Sequence, residues 1–197
     1  MAHYLIGICG GIGSGKSVVS RLLRLMGHEV YDCDAGARRL METDAVIKSR
    51  IRDEISADVT DGVAPPDRRL LASIVFSDEK MRQTLNSIVH CEVRKDVARH
   101  GDGCGVMFVE AAILAESGLA EMCDAIWHVE APLNSREQRV RHRDGCSREA
   151  FVSRTESQRR EAELLKRYGW KTVGIINDGV RPLLQQIGTL LDGLPQS

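Results

Sequence analysis

Short, continuous apolar runs alternate along this chain with longer stretches in which apolar residues recur every three or four positions. The first run, Tyr4-Leu-Ile-Gly-Ile-Cys9, is closed by glycines and reads as a strand buried on both faces. From Gly15 the period lengthens. Val18, Val19, Leu22, Leu23 and Met26 form one face of a helix that Gly27 stops. Glu29-Val-Tyr31 predicts a second strand, which delivers Asp32 and Asp34, and a helical stretch follows from about Ala35 to Ile55. Asp, Gly and Pro65-Pro66 interrupt the pattern between about 56 and 66. Residues 67–100 read as helical throughout, on the spacing of Leu70, Leu71, Ile74, Val75 and Phe76, then Leu85, Ile88 and Val89. Further strands are predicted at Gly105–Val109, Ala125–Val129 and Thr172–Ile176, with helical sequence between them. This alternation predicts an α/β fold in which a five-stranded parallel sheet is covered by helices on both faces.

Composition narrows the function classes. The 197 residues are 43% hydrophobic and 28% charged with a formal net charge of -1, ordinary for a globular protein. No strong basic excess points to nucleic acid as a partner, although local basic clusters can still hold phosphates. The six cysteines contain no C-x-x-C pair and several lie in apolar runs, so they read as reduced core or surface thiols rather than a disulfide framework or a zinc site. The N-terminus runs straight into the first strand without a signal-peptide h-region, and no apolar run reaches the length of a membrane span. A cytoplasmic protein is expected, with no membrane partner.

Between the first strand and the first helix, Gly10-Gly-Ile-Gly-Ser-Gly15-Lys16-Ser17 fits the phosphate-binding pattern G-x-x-x-x-G-K-S/T. The glycines let backbone wrap close to a phosphate in conformations a side chain forbids. The helix N-terminus then aims N–H groups at the anion. Lys16 is placed to reach β and γ phosphates and the Ser17 hydroxyl to ligate Mg²⁺. Candidate nucleotide contacts are Gly11, Ile12, Gly13, Ser14, Gly15, Lys16, Ser17 and Val18. The N-K-x-D element that reads guanine is absent, and Asp102-Gly-Cys-Gly105 precedes a strand and reads as a turn. A kinase of the nucleoside-monophosphate type is the leading class.

Asp32 and Asp34 stand at the end of the second strand, where parallel sheets place ligand sites. Two roles are open for them: accepting a proton from a substrate hydroxyl or holding a metal-bound water, and, for Asp34, capping the helix that follows. Glu110 ends the third strand and could hold a metal-bound water or cap the next helix. Arg139 and Arg143 are four apart on one helical face, and Asn134 with Glu137 resembles a capping box that would start that helix. Arg141 points elsewhere and reads as solvated, and His3 and His142 read as solvated or packing residues.

Taken together, these segments resemble the dephospho-CoA kinase family. Ile6–Ser17 followed by Gly27-x-x-Val30-x-Asp32-x-Asp34 is similar to the family's opening, and Asp67-Arg68-x-x-Leu71 with Val75-Phe76 to its D-R-x-x-L…V-F segment. Leu85-Asn-x-Ile88-x-His90 resembles its L-N-x-I-x-H-P, Glu116-x-Gly-Leu119 the end of its P-L-L-F-E run, Gln138-Arg139-x-x-x-Arg143-Asp144-Gly145 its Q-x-x-R-x-x-x-R-D-G, and Asn177-Asp-Gly179 its N-D-G. Three departures stand out. Cys91 replaces the proline of H-P, Ala112-Ile-Leu-Ala-Glu116 carries Ala115 in place of a large aromatic, and the Ala-Asp pair before the last strand is replaced around Trp170-Lys171.

The resemblance implies a P-loop three-layer core of 1–60 and 103–197, with a helical lid at about 139–165 and a helical CoA-binding insert at 61–102. It implies transfer of the γ-phosphoryl group of ATP, with Mg²⁺, to the ribose 3′-hydroxyl of dephospho-CoA. On that reading Asp34 is the first candidate for general base and Asp32 the second. Lys16, Arg139 and Arg143 are catalytic, and Arg68, His90 and Glu116 join the two aspartates as acceptor contacts. Asn177 approaches adenine, and Ser17 with Glu110 serves the metal. Two rivals remain: a kinase of nucleosides or nucleotides on the same fold, and a nucleotide-binding regulator without phosphoryl transfer.

Overall fold

The computed structural model describes residues 4–195, so His3 lies outside it. Five strands form one sheet in the order β2-β3-β1-β4-β5: β1 Tyr4–Cys9, β2 Glu29–Asp32, β3 Val106–Glu110, β4 Ala125–Glu130 and β5 Thr172–Ile176. β1 pairs in parallel with β3, from Tyr4 opposite Val106 to Ile8 opposite Glu110, and with β4, from Ile6 opposite Ala125 to Cys9 opposite His128. Each expected strand is present within about a residue of its predicted bounds. The chain forms two compact units, Met1–Tyr31 with Gly101–Ser197, and Asp32–His100.

In the first unit the two faces of β1 serve different layers. Ile6 and Ile8, both fully buried, join Val19 and Leu23 of α1 (Lys16–Leu25), Phe108, Trp127, Ile175, and Ile187 of α10 (Leu183–Asp192) in one core. Phe108 packs on Trp127 with ring centroids 5.0 Å apart at 59°, an offset that aromatic quadrupoles favour. On the opposite face Gly7 leaves room for Leu114 and Cys123, since a Cβ there would lie 2.5 Å from the Leu114 side chain. α1 ends as its sequence requires: His28 N–H donates to Leu23 O and Gly27 N–H to Arg24 O, the paired bonds of a Schellman turn.

The remaining elements of this unit are α6 (Leu119–Met122), α7 (Leu133–Asp144), α8 (Arg148–Ser157), α9 (Arg159–Leu165) and a 3₁₀ segment at Lys166–Lys171. Lys171, one of the residues replacing the expected Ala-Asp pair, donates to the Ala120 and Cys123 carbonyls at 2.8 and 2.5 Å, satisfying acceptors that α6 leaves open. The predicted capping box is not formed. α7 begins after Pro132, so Asn134 already lies inside the helix and cannot cap it.

The second unit holds four helices where the sequence predicted two stretches: α2 Cys33–Thr43, α3 Ala45–Glu54, α4 Arg68–Ser77 and α5 Glu79–Gly101. It begins earlier than the expected insert, taking in α2 and α3. Aspartates cause both interruptions. Asp44 accepts from Val46 and Ile47 N–H at 2.9 Å, and Asp78 from Lys80 and Met81 at 2.8 and 3.1 Å. Each therefore stops one helix and caps the next, a local alternative to continuing the helix. Asp67 likewise caps α4, and Asp32, not Asp34, caps α2 by accepting from Ala35 N–H at 2.9 Å.

Among the described residues no helix is long and apolar enough to cross a membrane. Cys9, Cys33 and Cys123 are buried, while Cys91, Cys104 and Cys146 are partly exposed. Burial pushes the Cys9 and Cys123 thiols up to about 12. Since the thiolate is the nucleophile, iodoacetamide at pH 8 is expected to alkylate Cys91, Cys104 and Cys146 in the native protein and spare the three buried thiols. Peptide mass spectrometry reads this directly, and early labelling of Cys9 would contradict the packing described here.

Candidate functional site

The strand order creates the site. The connection leaving β1 crosses to β2 and the one leaving β3 crosses to β4, in opposite directions, so a crevice opens beyond the carboxyl ends of these adjacent strands. Gly10 emerges from β1 and Ala111 from β3 at that crevice, and Ala111 N–H donates to Ile8 O at 3.1 Å. Here the glycine-rich loop folds.

Its glycines are needed for conformation and for space. Gly10 has φ of 145°, and a Cβ there would lie 2.3 Å from Val129 O. Gly15 has φ of 103°, with the Asn177 amide nitrogen 2.1 Å from the place of its missing Cβ. As the N-cap of α1, Gly15 supplies no side-chain hydrogen bond, in contrast to the aspartate caps of the second unit. A helix start capped in this way keeps its positive end open to an anion. Lys16 Nζ bends back to Gly10 O at 2.7 Å, and Ser17 is exposed at the first turn of the helix. Ser14 is 1% exposed, and its Oγ is one of two buried side-chain oxygens without a hydrogen-bond partner among the described residues.

Two segments from the far end of the chain hold this loop. Asn177, which follows β5, donates through its side chain to Ser14 O at 2.8 Å. Arg139 donates to Gly13 O at 3.3 Å and to Asn177 O at 3.0 Å. The structure thus joins Arg139, Asn177 and the loop, residues that the sequence nominated separately. Arg143 is engaged elsewhere: it forks onto Asp144 at 2.7 and 3.2 Å, and Asp144 also accepts from Arg154 at 2.6 Å. Those two guanidinium groups hold the Asp144 carboxyl down at about 2. Glu137 pairs with Arg141 at 3.4 Å and Arg148 at 3.8 Å.

Three participants escaped the sequence reading. Arg136 donates to Ile12 O at 2.8 Å and covers Gly11 so closely that a Cβ there would meet its guanidinium at 2.3 Å. Its spacing was legible: positions 136, 139 and 143 share one helical face. Gln158 accepts from Ile12 N–H at 2.8 Å, and Glu161, 5% exposed, accepts from Ala115 and Glu116 N–H at 2.8 Å each. No local pattern marks either residue. Together with Gly10, Gly11, Ser14 and Ala112, these three line a cavity of about 410 Å³.

Glu110 ends β3 as expected, but α6 begins only at Leu119 after a Gly118 cap, so capping by Glu110 is excluded. Glu116 lies in the turns between them rather than on a helix, and its carboxylate stands 3.8 Å from Arg160. Among the described residues no cluster of three or more His, Cys, Asp or Glu could hold a metal without other ligands. In the second unit Asp34 is exposed in the first turn of α2, while Arg68 pairs with Glu42 at the edge of a cavity of about 290 Å³. Met41, Leu71, Val75 and Leu85 line that cavity, and His90, on α5, is not one of its lining residues.

A family model described as dephospho-CoA kinase matches residues 4–180, from the first residue of β1 to just beyond Asn177. The chain belongs to the dephospho-CoA kinase family. A dephospho-CoA kinase of Bacteroides fragilis is 39% identical over 194 residues, covering 97% of this chain and 93% of the relative. One from Thermus thermophilus is 37% identical, covering 96% and 93%. Among solved structures, TT1252 from Thermus thermophilus superposes with a TM-score of 0.79 at 35% identity over the whole of both chains. The dephospho-CoA kinase from Campylobacter jejuni, at 21% identity and a TM-score of 0.65, covers 95% of each chain and shows the shared fold.

Within this family architecture the first loop glycine is fixed by backbone on both sides. Gly10→Ala is expected to lower stability by about 2–4 kcal/mol, combining left-handed strain with overpacking against Val129 O. Urea unfolding at constant m-value measures it, and a shift under 1 kcal/mol would mean that the loop relaxes easily (about the cost of a mild overpacking).

Proposed function

We propose that this chain transfers the γ-phosphoryl group of ATP to the 3′-hydroxyl of the dephospho-CoA ribose, giving CoA and ADP, the last step of coenzyme A biosynthesis. The observation that carries the reading is a phosphate-binding loop at the β1/β3 crevice, braced by Arg139 and Asn177, in a chain that matches the dephospho-CoA kinase model nearly end to end.

In this proposal the phosphates lie along Gly11–Val18, where backbone N–H groups and the start of α1 stabilise their charge. Lys16 leaves the Gly10 carbonyl and turns to the β and γ phosphates. Arg139, already hydrogen-bonded to the loop, keeps a positive charge beside them, and Arg143 exchanges Asp144 for the transferring group. Asn177 faces the adenine side. The residues that would hold Mg²⁺, Ser17 through its hydroxyl and Glu110 through its carboxylate, offer hard oxygens. Two such ligands suit an ion that keeps its waters and shares phosphate oxygens, so the absence of a larger cluster among the described residues is compatible with it. When bound, Mg²⁺ neutralises charge on the phosphates.

Asp34 takes the proton of the acceptor hydroxyl. Its oxygen forms the new bond to phosphorus as the β–γ bridging bond breaks, and that electron pair leaves with ADP. The choice of Asp34 over Asp32 is supported by their hydrogen bonding, since Asp32 already spends an oxygen on the Ala35 N–H while Asp34 is exposed. Arg68, His90 and Glu116 complete the acceptor contacts in this reading. ATP and dephospho-CoA are then small-molecule partners, and cysteines held as thiols rather than disulfides support the reducing cytoplasm as the setting.

Purified protein with Mg-ATP and dephospho-CoA is expected to form ADP and CoA in equal amounts. Asp34→Asn should lower kcat by about 10²- to 10⁴-fold while ATP still binds. An unchanged kcat removes Asp34 from the mechanism, and turnover with a nucleoside but not with dephospho-CoA shifts the reading to another kinase.

A further inference from the structure

α9 begins with three polar residues that reach in two directions. Gln158, its N-cap, accepts from Ile12 N–H in the phosphate loop at 2.8 Å. Arg160 stands 3.8 Å from the Glu116 carboxylate, and Glu161 accepts from the Ala115 and Glu116 N–H groups at 2.8 Å each. The phosphate loop follows β1 and the 111–118 turns follow β3, so one helical turn joins the loops on either side of the crevice.

The chemistry of the contact is specific. Two consecutive backbone N–H groups need two acceptors side by side, which a carboxylate supplies. An amide supplies one acceptor and then opposes the second N–H with its own donors. Glu161 is also kept almost wholly from water, which raises its carboxyl above the ordinary value against the effect of the two donors. A buried carboxyl of this kind is a poor means of stabilising a fold, and an apolar side chain could fill the space as well. What an apolar residue cannot do is fix the register of α9 on the Ala115–Glu116 backbone. That backbone carries the small side chains of Ala112 and Ala115. With less side-chain bulk to wedge the segment, its position depends more on hydrogen bonds.

We infer that Glu161 is a positioning residue: together with Gln158 it brackets the two crevice loops and holds the 111–118 turns in register with the phosphate loop during turnover. This inference rests on phosphoryl transfer as the reaction. It assigns Glu161 no contact with either substrate, so its effect falls on kcat and on the 111–118 turns.

The test is Glu161→Gln, with Glu161→Asp as the second variant because it keeps both acceptors on a shorter stem. Glu161→Gln is expected to lower kcat about 10-fold or more with the KM for ATP changed less than about 2-fold, the pattern of misplaced but intact chemistry. By NMR, the Ala115 and Glu116 amides should exchange about 10-fold faster, while Ile8 and Phe108 amides in the sheet keep their rates. Glu161→Asp should recover part of both losses. The inference is overturned if Ala115 and Glu116 exchange at the wild-type rate, if they exchange faster with kcat retained, or if the sheet amides accelerate equally, which would mark Glu161 as merely structural. If Glu161→Gln does not fold, the same readings on Glu161→Asp decide, and wild-type rates there overturn it. Absence of turnover in the wild-type protein would sink the reaction instead, leaving amide exchange to report on the bracket.

Discussion

Much of this molecule depends on the parallel pairing of β1 with β3 on one side and β4 on the other. Ile6 and Ile8 are fully buried in one layer, and Gly7 admits Leu114 and Cys123 from the other, so the strand is fixed from both faces. A one-residue slip would exchange these faces and drive Leu114 against an isoleucine. Gly10 therefore leaves the sheet at a defined point, against Val129 O, with no room for a side chain. The phosphate loop inherits its position from the sheet, and the arginines of α7 and Asn177 close around a loop that is already placed.

The polar chemistry divides along the same lines. In the Asp32–His100 unit, aspartates start each of the four helices and satisfy their end groups. At α1 that solution is withheld, and a glycine occupies the N-cap. The contrast follows from charge: an aspartate at that place would cancel the positive end that the α1 N-terminus otherwise presents. In the other unit, charge is concentrated on α7 to α9, where Arg136 and Arg139 donate to loop carbonyls and Gln158 and Glu161 accept from loop N–H groups. Donors meet acceptors on both sides of the crevice, so the loops are braced before any ligand arrives.

The strands and the phosphate loop were legible in the sequence because they are local. A buried parallel strand must be continuously apolar, and a loop that wraps an anion must be glycine-rich, whatever surrounds it. The helix breaks at Asp44 and Asp78 were missed because apolar spacing continues across them, and only the side-chain hydrogen bonds reveal the stops. The Asn134–Glu137 pattern misled for the opposite reason: Pro132 had already set the start of α7. Arg139 and Asn177 were nominated singly, and the hydrogen bond from Arg139 to Asn177 O joins residues 38 apart in the chain. Gln158 and Glu161 gave no signal, since a glutamine and a glutamate on a polar helix look like solvated surface.

The sequence alone thus determined the α/β class, the glycine-rich loop between β1 and α1 and the family, because periodicity, glycine spacing and local motifs act over a few residues. Tertiary structure decided which charged groups are available. It spends Asp32 on a cap and leaves Asp34 exposed, ties Arg143 to Asp144, brings Arg139 to the loop and buries Glu161 against two backbone donors. Those outcomes depend on the distances between segments remote in sequence. Electrostatic interactions and hydrogen bonds are set by those distances and by burial, and neither is written in residue type.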